Sequence, residues 1–301
     1  MQVQEELLIL PFDHRGSLLE KLLGVKGREP THEEITRVKE LKKIVYDGFK
    51  LSLEKGVPKE KTGILVDEQF GAEILGDAHA NGITTACSVE KSGQDEFDFE
   101  YADWEMHVQR VNPTFAKVLV RLNPEGDGEL NERQLRRLKT LNDFLKKTNR
   151  GFLFELLVPA TQKQLQEAGG AKEAFDLKTR PALMVRAMRQ IQDFGIEPDV
   201  WKLEGVDRKE DAEALVGQAK AGGRKAGIIT LGRGENKEKV REWLTVGAKI
   251  RGIIGFAVGR TIFWDALKGF HAGSLSREQA VEMVAENYKE FVDLWQEEKG
   301  D

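Results

Sequence analysis

Cysteine is nearly absent from this 301-residue chain: Cys87 stands alone, which excludes an internal disulfide and any cysteine-built metal cluster. It sits in the apolar run Ile83-Thr84-Thr85-Ala86-Cys87, where a buried, inert thiol is expected. No uninterrupted apolar run approaches the roughly 18 residues of a membrane helix, and Glu5 and Glu6 stand where a signal peptide would be basic. No block of like charge stands apart either, with 46 Lys and Arg against 51 Asp and Glu and a net charge of -5. Nucleic-acid and membrane partners are therefore not expected; a cytoplasmic enzyme acting on a small molecule is. The five histidines, His14, His32, His79, His107 and His271, show no paired spacing, so neither a metal nor another cofactor is expected.

What the chain does contain is a run of strand-length apolar segments: Leu7–Asp13, Gly63–Glu68, Ile83–Glu90, Phe115–Arg121, Phe152–Val158, Asp199–Glu204, Gly227–Gly232 and Ile253–Val258. Helical periodicity fills the stretches between most of them, as in Glu33–Glu54, Asn131–Lys147, Pro181–Phe194 and Lys209–Ala221. In Asn131–Lys147 the residues Leu135, Leu138, Leu141, Phe144 and Leu145 form one apolar stripe on a charged helix. Thr31, Ser274 and Ser276 are helix-start signals. Eight strands alternating with helices predict a single (β/α)8 barrel over residues 1–301. An open doubly wound sheet would carry a glycine-rich turn after its first strand, where this chain has Asp13-His14-Arg15-Gly16.

Barrel enzymes work at the C-terminal ends of their strands. The charged residues there are Asp13, Asp67, Glu68, Glu90, Lys91, Lys117, Arg121, Glu155, Lys202, Glu204, Arg233 and Arg260, more than a packed interior holds without pairing. In Val200-Trp201-Lys202-Leu203-Glu204, alternation turns Trp201 and Leu203 to the helices, and Lys202 and Glu204 to the barrel axis. Burial and a second cation, Lys117, favour a neutral Lys202 amine able to attack a ketone; the alternative is a structural ion pair. Glu155, one carboxylate among six apolar residues, is expected to hold its proton to a higher pH and to act as an acid and base. Lys117 shares its strand face with Arg121 and either tunes Lys202 or holds a substrate hydroxyl. Gly232-Arg233-Gly234 and Gly259-Arg260-Thr261 follow the last two strands, the usual phosphate position of barrels, and Arg260 offers a forked grip. His14 reads as a turn residue bonded to backbone, or as a catalytic group by its place at a strand end.

The segments Leu10-Pro11-Phe12-Asp13-His14-Arg15-Gly16-Ser17-Leu18, Ile64-Leu65-Val66-Asp67-Glu68-Gln69-Phe70, Trp201-Lys202-Leu203-Glu204 and Gly259-Arg260-Thr261, with the Glu155 strand, resemble the tagatose-bisphosphate and sulfofructose-phosphate aldolases. Closer still is the aldolase-like C-terminal domain of bacterial 5-dehydro-2-deoxygluconokinase, an enzyme of inositol catabolism. Its signature is similar to Pro11-Phe12-Asp13-His14-Arg15-Gly16-Ser17, Glu90-Lys91-Ser92-Gly93-Gln94-Asp95 and Phe256-Ala257-Val258-Gly259-Arg260-Thr261. The resemblance implies a metal-independent class I aldolase, here a barrel standing without a kinase half. It puts the Schiff base on Lys202, acid–base work on Glu155, a second interior lysine at Lys117 and phosphate on Arg260. Asp13 and Asp67 match carboxylates that hold substrate hydroxyls or the charge network; Arg15, Glu90, Lys91, Arg121 and Glu204 complete the expected substrate side. Two departures stand out: His14 replaces a glutamine, and Arg233 occupies a loop position that is small in the aldolases. The implied substrate is 2-deoxy-5-keto-gluconate 6-phosphate, split into dihydroxyacetone phosphate and malonic semialdehyde, and a homo-oligomer is the expected assembly. Two rivals remain: a sugar-phosphate isomerase or lyase using metal on Asp13 and Asp67, and a non-catalytic sugar-phosphate-binding partner of a separate kinase.

Overall fold

In the computed structural model, which describes residues 6–300, eight strands follow one another around a closed barrel. They are β1 (Leu7–Pro11), β2 (Thr62–Asp67), β3 (Thr84–Ser88), β4 (Phe115–Arg121), β5 (Gly151–Leu157), β6 (Val200–Glu204), β7 (Gly227–Leu231) and β8 (Ile253–Ala257). Every neighbouring pair is parallel, and β8 closes on β1 through Leu7, Leu8 and Ile9. Parallel strands need crossovers, and here helices supply them. They are α1 (Gly16–Lys21), α2 (His32–Glu54), α3 (Glu68–Ala80), α4 (Trp104–Val111), α5 (Gly128–Lys147), α6 (Gln162–Glu167), α7 (Lys172–Lys178), α8 (Arg180–Asp193), α9 (Lys209–Lys220), α10 (Lys237–Ala248), α11 (Arg260–His271) and α12 (Arg277–Lys299). The expected barrel is therefore the observed one, with several strands ending a residue or two earlier than the apolar runs suggest. Asp13 and Glu90, read as strand residues, lie just beyond β1 and β3; Glu90 is held by an antiparallel bridge to Phe99.

Period-two alternation sorts each strand into two faces. Trp201, Leu203, Phe152 and Phe154 belong to the apolar layer between sheet and helices. Leu7, Ile9, Leu65, Phe115, Leu153, Val200 and Ile229 pack on one another inside the barrel. Two residues further along their strands stand Lys117, Glu155 and Lys202, so the charged layer rests directly on an apolar floor. Cys87 packs on the helix side, and burial pushes its thiol well above the ordinary range.

The helices begin where their caps dictate. Thr31 and Ser276 both close capping boxes, with Glu34 and Gln279 respectively. Ser274 does not start a helix; its hydroxyl donates to the Gly269 carbonyl behind α11. Asp127 caps α5, which starts three residues before the expected Asn131; of the expected stripe, Leu135, Leu138, Leu141 and Leu145 are buried and Phe144 is partly so. Asp67 caps α3 through the Phe70 amide at 2.8 Å. Its other oxygen receives Lys42 of α2 at 2.5 Å, in a pair 0% and 1% exposed. The same ammonium donates to the carbonyls of Phe12 and His14. Lys42 thus bolts α2 and α3 beneath the turn that carries Asp13. Removing one partner of a buried pair strands the other charge at a cost of about 3–5 kcal/mol. Urea unfolding should register a loss of that order for Lys42→Met. The exposed neighbour change Lys43→Met should cost less than about 1 kcal/mol. Equal small losses would show that the bolt contributes no more than a surface pair.

Candidate active site

Register brings the interior charges together. Glu155 is the cross-strand partner of Lys202, and Ser88 that of Lys117. Lys202 Nζ lies 2.8 Å from Glu155 Oε2. Lys117 Nζ lies 2.9 Å from the same oxygen, 2.8 Å from Asp13 Oδ2 and 2.6 Å from Glu90 Oε1. Ser88 Oγ donates to Asp13 Oδ2 at 2.8 Å. Lys117 is therefore surrounded by three carboxylates while Lys202 touches one. Burial works against the Lys117 ammonium, but Asp13, Glu155 and Glu90 outweigh it and hold that charge well above the ordinary lysine range. Of the two interior amines, Lys202 is the one with a single carboxylate at hydrogen-bond distance.

Glu155 corrects one expectation. The apolar residues of its strand mostly face the helices, so its carboxyl meets two ammonium groups instead. Burial pushes its titration up, yet Lys117 and Lys202 prevail and the group is held below the ordinary value. Asp13 behaves alike, held well below its usual range despite burial, chiefly by Lys117 and Lys202. Glu90 goes the other way: burial raises it, Lys117 only partly opposes, and Asp13 adds to the rise. The carboxyl inclined to keep a proton is thus Glu90, not Glu155.

These five residues open into a cleft of about 330 Å³, which Arg15, Lys91 and Arg121 also line. Arg15 is buried, pairing with Glu100 at 2.6 Å and donating to the Glu90 carbonyl at 2.5 Å. Lys91 pairs with Asp98 and is 51% exposed, and Arg121 donates to the Gln94 carbonyl. All three hold the loop after β3. A second hollow of about 450 Å³, sharing Lys21 with the first, is lined by Gly234, Arg260 and Thr261 at the ends of β7 and β8. Arg260 opens α11 and donates to the Arg233 carbonyl at 2.8 Å. Its guanidinium lies so near Gly234 that a Cβ there would come within 2.2 Å, and Gly234 has a φ of 81°. Gly259 is equally confined: a Cβ would meet the Pro11 carbonyl at 2.3 Å. Gly232 is buried at the start of this loop.

Five expected site residues line neither hollow: Gly232, Gly259, Asp67, Glu204 and Arg233. Asp67 is engaged by Lys42 and the Phe70 amide. Glu204 sits under Arg233, whose Nε approaches it at 2.7 Å while Nη1 reaches Asp176 at 2.9 Å. Arg233, in the left-handed region at φ 53°, therefore directs its guanidinium to carboxylates and only its carbonyl toward Arg260. Lys42, Ser88, Glu100 and Lys21 went unnoticed in the sequence, since a lysine or serine on an amphipathic element reads as solvated surface until its distant partner is known. Among the described residues no three His, Cys, Asp or Glu side chains converge as a metal site, and no helix is long and apolar enough to cross a membrane.

The protein-family model described as "Uncharacterized protein conserved in bacteria (DUF2090)" matches residues 1–299. No curated protein matches the chain. Among solved structures, a fructose-bisphosphate aldolase from Plasmodium falciparum, determined with TRAP and a small-molecule inhibitor, superposes with a TM-score of 0.68. It shares 13% identity over 99% of this chain and 93% of its own. At that identity the likeness concerns the barrel itself.

His14 sits edge-on to Phe263, and its Nδ1 has no hydrogen-bond partner among the described residues, unlike the backbone-bonded turn histidine of one reading. Burial lowers its titration most; Arg260, Lys202 and Lys42 lower it further against Asp13, to about 4. An unfolded imidazole takes up its proton near 6.5. Between those values the unfolded chain binds a proton that the folded one refuses. The stability involved is complete above pH 6.5 and is lost as the pH falls toward 4. On lowering the pH from 7 to 4.5, the wild type should lose about 2 kcal/mol more unfolding free energy than His14→Gln. Identical losses would contradict the neutral, crowded imidazole.

Proposed function

The chain belongs to the DUF2090 family, and we propose that it is a metal-independent class I aldolase in which Lys202 forms a Schiff base with a phosphorylated ketose or keto sugar acid. One observation carries this reading: two buried lysines share Glu155, but only Lys117 is fixed by three carboxylates, which leaves Lys202 as the nucleophile. The ionised Glu155 takes a proton from Lys202, and the neutral amine attacks the substrate ketone. Glu155 returns the proton to the hydroxyl of the resulting carbinolamine, which departs as water and leaves an iminium. Glu155, ionised again, removes the proton of the hydroxyl on the far carbon of the scissile bond. That oxygen's electrons form the aldehyde carbonyl, and the carbon–carbon pair flows into the iminium to give an enamine. Glu155 then protonates the enamine carbon, and water hydrolyses the new iminium to release the ketone and Lys202. The covalent electron sink does what a Lewis acid would otherwise do. Lys117 keeps Glu155 ionised and so ready to act as a base.

The phosphate is assigned to the hollow at Gly234 and Arg260. The first amides of α11 are unpaired within the helix by geometry, and its N-terminal dipole favours an anion. Arg233 shapes this loop from behind through Glu204 and Asp176. The sequence resemblance supports 2-deoxy-5-keto-gluconate 6-phosphate as substrate, with dihydroxyacetone phosphate and malonic semialdehyde as products. The metal-assisted rival loses support because its two carboxylates, Asp13 and Asp67, are engaged by different lysines.

Borohydride reduction in the presence of dihydroxyacetone phosphate and chelator should modify Lys202 alone, as mass mapping would read, and Lys202→Arg should abolish both labelling and turnover. Label on Lys117 would move the nucleophile to β4, and dependence of labelling on added metal would favour the rival. Charge-assisted bonds to phosphate are worth about 1.5–3 kcal/mol each, so Arg260→Ala should lower kcat/KM about 10- to 100-fold. The loss should fall on the phosphorylated substrate and spare its unphosphorylated analogue; equal losses would mean that Arg260 serves the barrel instead.

A further inference from the structure

Eight buried side-chain polar atoms lack a hydrogen-bond partner among the described residues, and five of them belong to residues that line the Lys202 cleft: His14 Nδ1, Arg15 Nε, Ser17 Oγ, Glu90 Oε2 and Gln94 Nε2. Buried polar groups are normally paired, so a cluster of exceptions in one cleft points to a ligand. The five come from two segments only, the turn after β1 with the first residues of α1, and the loop after β3. Those segments are tied together by Arg15 Nη2 on the Glu90 carbonyl at 2.5 Å and by the Gly16 amide with Ser92 Oγ at 3.4 Å. Arg15 and Glu90 are each only 5% exposed, so their free atoms are fixed in direction. In the barrel order β3 stands opposite β7, where the phosphate hollow lies, and Lys202 on β6 lies on the way between them.

We infer that the β1–β3 side of the cleft is the aldehyde subsite and that it selects a short aldehyde bearing oxygen functions. This rests on the aldolase reading. With the phosphate at β7 and β8 and the ketone on Lys202, the half of the substrate beyond the scissile bond extends toward β3. Arg15 Nε and Gln94 Nε2 can only donate, so they call for acceptor oxygens on that half. Ser17 Oγ gives and accepts. Glu90 Oε2 accepts from a hydroxyl, or donates to an oxygen when Glu90 holds its proton. An alkyl aldehyde satisfies none of these atoms. A hydroxylated aldehyde and a carboxylated one share the required acceptor chemistry.

Condensation measures this directly, because the enamine carbon attacks the aldehyde carbon while Glu155 protonates the aldehyde oxygen, and the free aldehyde can be varied. The full-length enzyme charged with dihydroxyacetone phosphate is offered glyceraldehyde, malonic semialdehyde or propanal. At least one oxygenated aldehyde should exceed propanal by about tenfold or more in kcat/KM, the scale of one or two satisfied hydrogen bonds. Preference for glyceraldehyde would identify hydroxyls as the recognised group, and preference for malonic semialdehyde a carboxylate. Gln94→Ala and Ser17→Ala should each cut that ratio several-fold. Ser17 Oγ bonds nothing in the protein, so its removal tests the subsite without disturbing the loop. Equal use of propanal, or ratios unchanged in both variants, would overturn the subsite. Failure of the wild type to be trapped by borohydride would overturn the Schiff-base reading and the subsite with it, a result distinct from normal trapping without aldehyde preference.

Discussion

Everything at the mouth of this barrel depends on Lys117 Nζ meeting three carboxylates. A buried ammonium is costly without partners, and three buried carboxylates are costlier still. Together with Lys202 they form a layer of three acids and two bases. Fully ionised, that layer would carry one excess negative charge on an apolar floor. Burial shifts Glu90 toward holding its proton, while the lysines hold Asp13 and Glu155 below their ordinary values. The two lysines are therefore held unequally: Lys117 by three carboxylates, Lys202 by Glu155 alone.

The support beneath this layer is mechanical as much as electrostatic. Lys42 holds Asp67 and the carbonyls on either side of Asp13, so the position of Asp13 against Lys117 is set from α2 and α3. Arg15 reaches across to Glu100 and the Glu90 backbone, and Arg121 to Gln94, which fixes the β3 loop over the cleft. At the opposite rim Arg233 ties the β7 loop to Glu204 and Asp176. Arg15, Arg121 and Arg233 thus all make contacts that tie loops together. The arginine left facing the second hollow is Arg260.

Alternation and strand order were enough to read the barrel, because they depend on local spacing alone. They also put Lys202 on the inner face and Lys117 in the interior, where each stands two residues past an apolar interior residue. The direction of the Glu155 shift was misread because a strand of six apolar residues says nothing about what the one polar residue faces across the barrel. Asp67 reads as either a substrate or a charge-network carboxylate because its partner, Lys42, lies 25 residues earlier on a helix with no distinguishing pattern. Arg233 turns away from the hollow because its own backbone adopts a left-handed conformation, which no spacing rule foretells. The unpartnered atoms of His14, Ser17 and Gln94 acquire meaning only when the two loops that carry them face each other.

A Schiff base at Lys202 requires that the ketone substrate lose its carbonyl oxygen to water, since an iminium cannot form otherwise. The most direct measurement is isotope exchange: dihydroxyacetone phosphate is incubated with the enzyme in oxygen-18 water, and the label entering the ketone oxygen is followed by mass spectrometry. The account predicts exchange well above the uncatalysed rate with the wild type and none above it with Lys202→Arg. Cleavage activity without accelerated exchange would mean that the ketone keeps its oxygen throughout, which contradicts a Schiff base at Lys202.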